Sequence, residues 1–157
     1  MKKIFLMLAL LATAFTQKSF AQDSTKTQPT QLLNAYYKLK DALVSSNATL
    51  AAANAGELVK AINGTDKQTV NDDARSSLLK DANTISQSKD IKLQREEFAT
   101  LSNNMFELAK TVKLSAEPVY QQYCPMKKAS WLSSDKAIKN PYYGNAMLTC
   151  GSVKTTL

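Results

Sequence analysis

The sequence predicts a mainly α protein: a four-helix antiparallel bundle followed by an irregular Cys/Met/aromatic C-terminal segment, with room for a small β-hairpin. Three observations carry this. Four stretches between Thr30 and Val112 place apolar residues at helical spacing. Short polar connections separate them, which favours antiparallel neighbours. At Glu117-Pro118 the period is lost, and residues 118–157 hold three of the four prolines, both cysteines, the only tryptophan and four of the six tyrosines.

Each element has its own pattern. Pro29-Thr30 open a first helix, whose stripe is Leu32, Tyr36, Leu39 and Leu43. Ser46-Asn47 break and recap it. Ala51, Ala55, Leu58 and Ile62 repeat the spacing in a second, Ala-rich helix that Asn63-Gly64 stops. Thr65-x-x-Gln68 reads as a capping box opening a third helix, with a thin stripe of Ala74, Leu78, Ala82 and Ile85. Asp90 caps a fourth. Ile91, Phe98, Leu101, Met105, Leu108 and Val112 form its stripe, the clearest of the four. Beyond it, Val119-Tyr120 and Thr149 to Val153 could extend as short strands, and Asn140-Pro141 and Tyr143-Gly144 are turn signals.

The N-terminus reads as a leader. Met1-Lys2-Lys3 is positive, Ile4 to Phe15 is an apolar run broken only by Thr13, and Ser19-Phe20-Ala21 suits cleavage before Gln22. Residues 1–21 are therefore expected to be a signal peptide, 22–29 a flexible tail, and 30–157 a single domain with its bundle over 30–114. Cleavage removes Lys2, Lys3 and Lys18 and no acid, so the formal charge falls from +7 to +4. The mature chain has no apolar run of membrane-spanning length, and a periplasmic location is expected.

Composition then narrows the chemistry. With no histidine there is no Ser-His-Asp or Cys-His machinery and no His-ligated metal. The acidic pairs Asp72-Asp73 and Glu96-Glu97 are adjacent, so they face different ways on a helix. No enzyme is expected. The charges are interspersed, with no basic run carrying interleaved aromatics, so nucleic acid is not an expected partner.

What remains is sulfur. Two of the three mature-chain methionines flank the two cysteines, in Cys124-Pro125-Met126 and Met147-Leu148-Thr149-Cys150. An extended segment would point Cys124 and Met126 to one face, and a turn would align Met147 with Cys150. Two thiolates and two thioethers select Cu(I) or Ag(I) and disfavour Zn(II). Trp131 could cap a bound monovalent cation with its ring. Equally, two cysteines in an exported protein suit a Cys124–Cys150 disulfide, worth about 3–4 kcal/mol in the loop-entropy model. Free thiols are the third option. Tyr120, Tyr123, Trp131, Tyr142 and Tyr143 suit either a binding surface or a small aromatic core.

The C-terminal string resembles a known family. Pro118-Val-Tyr-Gln-Gln-Tyr-Cys124-Pro125-Met126, then Trp131-Leu-Ser, then Ile138-x-Asn140-Pro141-Tyr142-Tyr143-Gly144-x-x-Met147-Leu-x-Cys150-Gly151-x-Val153, is similar to the signature of domain-of-unknown-function family 3347. The Tyr36-x-x-Leu39-Lys-Asp-Ala-Leu43 start and Phe98-x-x-Leu101-Ser102 resemble it too. Only Lys127 to Ser130 separate the Cys-Pro-Met motif from Trp131, where family members often carry a longer insertion. The resemblance implies a small exported domain of the kind also found at the ends of copper/silver efflux adaptors. It favours soft metal at Cys124, Met126, Met147 and Cys150, with Pro125, Asn140, Pro141, Tyr142, Tyr143, Gly144 and Gly151 shaping the turns around them. The partners it implies are the metal ion and an efflux adaptor or other envelope protein. The rival expectation is a disulfide-stapled module docking onto such a protein without metal.

Overall fold

The computed structural model describes residues 29–157. The expected signal peptide and the tail up to Gln28 lie outside the described residues. Four helices come first: α1 (Pro29–Val44), α2 (Ala48–Gly64), α3 (Asp72–Gln87) and α4 (Ile91–Thr111). Three strands follow: β1 (Tyr120–Cys124), β2 (Ala129–Ser133) and β3 (Ser152–Thr156). A short 3-10 turn, Gly144–Ala146, lies between the last two strands.

Pro29 is the first residue of α1, a position where a missing N–H costs nothing. The buried face of α1 includes Leu32, Leu33, Tyr36, Leu39 and Leu43. Asn47 caps α2, its side chain accepting from the N–H of Leu50 at 2.9 Å. Asp90 caps α4 in the same way, accepting from Lys92 at 2.8 Å. Each helix packs chiefly against its sequence neighbour, as short connections require. Leu58, Ile62, Leu78, Ile85, Phe98, Leu101 and Met105 close the core. No helix of the described residues is long and apolar enough to cross a membrane.

The start of α3 corrects the sequence reading. Thr65 does not open a helix: its hydroxyl donates back to the carbonyl of Ala61 at 2.8 Å, closing α2. Asp66 then builds a turn by accepting from the N–H of Thr69 at 2.8 Å. The cap of α3 is Asn71, accepting from Ala74 at 2.9 Å, with Asp72 and Asp73 in the first turn where the helix dipole favours acids. The Arg75 guanidinium binds the carbonyls of Ile62, Thr65 and Val70, which pins this connection.

The C-terminal segment is more regular than the sequence suggests. β1 and β2 form an antiparallel hairpin, and β3 pairs antiparallel with the other edge of β1, giving the order β2-β1-β3. β2 lies against α4. Its Leu132 N–H donates at 3.1 Å to the phenol of Tyr36, which also shares a 2.7 Å hydrogen bond with Ser102. A line of aromatic rings joins the two parts: Tyr36 stacks on Phe98 at 5.3 Å, Phe98 meets Tyr142 at 5.9 Å, and Tyr142 meets Trp131 edge-on at 5.9 Å. Tyr142 and Trp131 are buried, so this part of the aromatic cluster is core.

Candidate functional site

The hairpin register builds the site. Residues directly opposite across a strand pair share a face. Gln122 lies opposite Trp131, and Cys124 opposite Ala129. All four are buried. Cys124 is the last residue of β1, and the turn that follows closes where Lys128 donates to the Cys124 carbonyl at 2.9 Å. On the other edge of β1, Ser152 pairs with Tyr123. Cys150, two residues earlier, is thereby delivered beside Cys124. Their sulfurs are 3.6 Å apart, and neither is in a disulfide. Cys124 is fully buried; Cys150 is half-buried.

Asn140 holds the returning loop, and it is wholly buried. Its Nδ2 donates to the Cys150 carbonyl at 2.8 Å and its Oδ1 accepts from the Tyr142 N–H at 2.8 Å. Its own N–H donates to Leu148 at 2.8 Å. One side chain thus fixes both ends of the 140–150 turn. Gly151 follows at φ 151°, where an added Cβ would come within 2.9 Å of Trp131 Cη2 and 3.0 Å of the Tyr123 carbonyl oxygen. Only glycine lets the chain pass this close to the indole.

The methionines divide. Met147 sits one turn before Cys150, whose N–H donates to the Met147 carbonyl at 3.1 Å, so the two share a tight turn. Met126 departs from expectation. The strand ends at Cys124, Pro125 cannot donate to a ladder, and Met126 falls in the hairpin turn instead of on the Cys124 face. It is the most exposed large apolar side chain of the described residues, at 64%. Trp131 is buried between Tyr142 and Gly151. Among the described residues, its Nε1 and the Oε1 of Gln122 opposite have no hydrogen-bond partner.

The two thiols are electrostatically unlike. Burial pushes the Cys124 thiol up. The N–H of Lys127, the Asn140 side chain, the Cys150 thiol and the N–H of Met126 outweigh that and hold it below the ordinary thiol range. Cys150 is held above that range, first by its hydrogen bond to Cys124, then by burial and by the neighbouring charge. Of the two thiols, Cys124 is therefore the one whose ionised form the surroundings favour, and Cys150 the one whose neutral form they favour.

Two contributors were invisible in the sequence. Arg95 reaches from α4 to the loop: Nε donates to the Pro141 carbonyl at 2.8 Å, while an Nη donates to Leu43 at 3.1 Å and to Ser46 Oγ at 2.8 Å. Its partners lie 46, 49 and 52 residues away, so no local pattern announces them. Gln122 donates to the carbonyls of Asp135, Lys136 and Ala137, tying the strand-to-loop passage under the sheet. A third feature could have been counted. Residues 29–117 carry eleven basic and eleven acidic side chains, whereas 118–157 carry five lysines and one aspartate. Among the described residues, none of Lys127, Lys128, Lys136, Lys139 and Lys154 is in an ion pair.

The molecule is thus a helical bundle carrying a small antiparallel sheet, with a contacting thiol pair, one buried and one half-buried, at the end of its central strand. The chain belongs to the family described as "Protein of unknown function (DUF3347)", whose profile matches residues 32–117. That match runs from the first turn of α1 through α4 and stops before β1. No curated protein and no solved structure matches the chain.

Proposed function

We propose that this chain binds Cu(I) or Ag(I) as cargo in the periplasm, buffering the ion or passing it to an efflux system. Contact between the two sulfurs carries the reading. Two ligands at a near-tetrahedral angle on metal–sulfur bonds of about 2.3 Å lie about 3.8 Å apart. The 3.6 Å separation needs little adjustment to reach that edge. Cys124 and Cys150 supply thiolates. Met147 supplies a thioether from the same turn. Met126, exposed on the hairpin, is a thioether free to swing onto the ion and off again. Thiolate plus thioether is a soft donor set, and no group of three or more His, Cys, Asp or Glu among the described residues offers a harder one. No residue is assigned a catalytic role. The partners are the ion and an efflux adaptor or similar envelope protein.

A Cu(I) competition titration of the reduced protein against a chromophoric chelator tests this. Tight, stoichiometric binding that weakens in the Met126→Leu/Met147→Leu double variant is the expected result. No competition for Cu(I) overturns it. The rival reading is a disulfide-stapled interaction module, favoured by the same sulfur contact at the end of β1. It gives partner binding without metal and indifference to the methionine changes, since Leu and Met are near-isosteric.

A further inference from the structure

The two cysteines are in contact yet differ sharply in access: Cys124 is sealed under the sheet, while Cys150 reaches the surface. An external reagent therefore meets Cys150 first. The surroundings add a charge preference. Lys127 and Lys128 form the turn beside Cys124, and Lys154 lies over the Tyr123 ring at 5.3 Å on the strand that leaves Cys150. In residues 118–157 the five lysines face a single acid, Asp135.

We propose that Cys150 is the point at which an anionic low-molecular-weight disulfide attacks this protein's thiol pair, and that Cys124 resolves the adduct into a Cys124–Cys150 disulfide. In the first step Cys150, the thiol that solvent reaches, gives its proton to water, and its Sγ attacks one sulfur of the small disulfide. That S–S bond breaks, one small thiolate leaves, and a mixed disulfide forms on Cys150. In the second step Cys124 Sγ attacks Cys150 Sγ, the mixed bond breaks, and the second small thiolate leaves. The protein loses two electrons and two protons, and the small disulfide gains them as two thiols. The second step needs no diffusion, because the sulfurs already touch. They close by about 1.5 Å to reach the S–S bond of about 2.05 Å. The exchange stands on thiol geometry alone; its consequence, that oxidation and metal loading exclude each other, rests on the function proposed above.

The test uses the reduced full mature chain and mass spectrometry. With oxidised glutathione, which is anionic, the wild type should end as the intramolecular disulfide. Cys124→Ser should stop at the one-adduct species, and Cys150→Ser should form no adduct over the same time. A brief acid-quenched pulse of the wild type, mapped by peptide, guards against misfolding of the Cys124 variant. Its adduct should be on Cys150. Adduct first on Cys124, or no internal disulfide in the wild type, overturns the proposal. Oxidised glutathione should react about tenfold faster than cationic cystamine at low ionic strength, converging at high salt. Equal rates at low salt overturn the charge preference. Preloading with Ag(I) should block both steps. Lack of protection, with the Cys150-first pattern intact, overturns the metal reading and leaves the exchange standing.

Discussion

The guanidinium of Arg95, on α4, donates at 2.8 Å to the carbonyl of Pro141, at the head of the turn that carries Met147 and Cys150. The same group binds Leu43 and Ser46 at the end of α1. One side chain therefore ties two helices to the loop on which half the sulfur site is mounted.

Replacing Arg95 should loosen that loop. Hydrogen bonds to charged groups contribute about 1.5–3 kcal/mol, and a buried carbonyl left unpaired costs about 1–3 kcal/mol. Arg95→Ala should lose about 2–4 kcal/mol in urea unfolding and speed thiol labelling of Cys150. Arg95→Lys, which cannot fork between carbonyls, should recover only part of both. Full recovery by lysine would refute the forked role.

Two glycines should respond in opposite senses to alanine. Gly144 has φ 53°, and a Cβ there would lie 2.5 Å from Ser46 Oγ and 2.8 Å from the Val44 carbonyl oxygen. Left-handed strain and overpacking together predict a loss of about 2–4 kcal/mol for Gly144→Ala. Gly56 lies inside α2 with open space where a Cβ would go. Gly56→Ala should stabilise by about 0.5–1 kcal/mol. Thermal melts of both variants decide.

Asp81 should give a pH signature. Burial pushes its carboxyl up, the Asn104 amide at 2.8 Å opposes this, and the charge of Glu97 adds to it. An acid raised in the folded state binds more protons there than in the unfolded chain. Its cost therefore grows as pH rises from the ordinary carboxylate range through the folded pKa, and is fully present above it. Asp81→Asn should gain stability relative to wild type at pH 7, and that gain should vanish by about pH 3, below the unfolded carboxylate pKa. An equal difference at both pH values would refute the assignment.

Joining the two sulfurs should stabilise the fold. Closing the Cys124–Cys150 loop predicts about 3–4 kcal/mol from chain entropy, read as the urea-unfolding difference between oxidised and reduced protein. A destabilised oxidised form would mean that the native loop cannot bring the sulfurs to bonding distance without strain.

How much of this could be read from the chain depended on range. The helices were readable because Leu32, Tyr36, Leu39 and Leu43, or Phe98, Leu101, Met105 and Leu108, encode one buried face by spacing alone. Asn47 and Asp90 were readable caps because capping is local. Thr65 misled because its hydroxyl has two local choices, and it closes the preceding helix. β2 was hidden. Trp131, Leu132 and Ser133 are all buried, so the strand lacks the polar alternation that marks a one-sided sheet. The pairing of the cysteine-bearing segments was suggested by composition, but their meeting depends on the β1–β3 register and on Asn140, both long-range facts.

The order of elements has one more consequence. A bond between Cys124 and Cys150 would close a covalent ring containing the hairpin turn, β2 and the Asn140 loop, with all four α-helices outside it. In the unfolded chain such a ring restricts residues 124–150 alone. The bundle keeps its full freedom and assembles from neighbours adjacent in sequence, whichever state the sulfurs are in. The redox history of the thiols is thus written into the sheet, and the helices carry no copy of it.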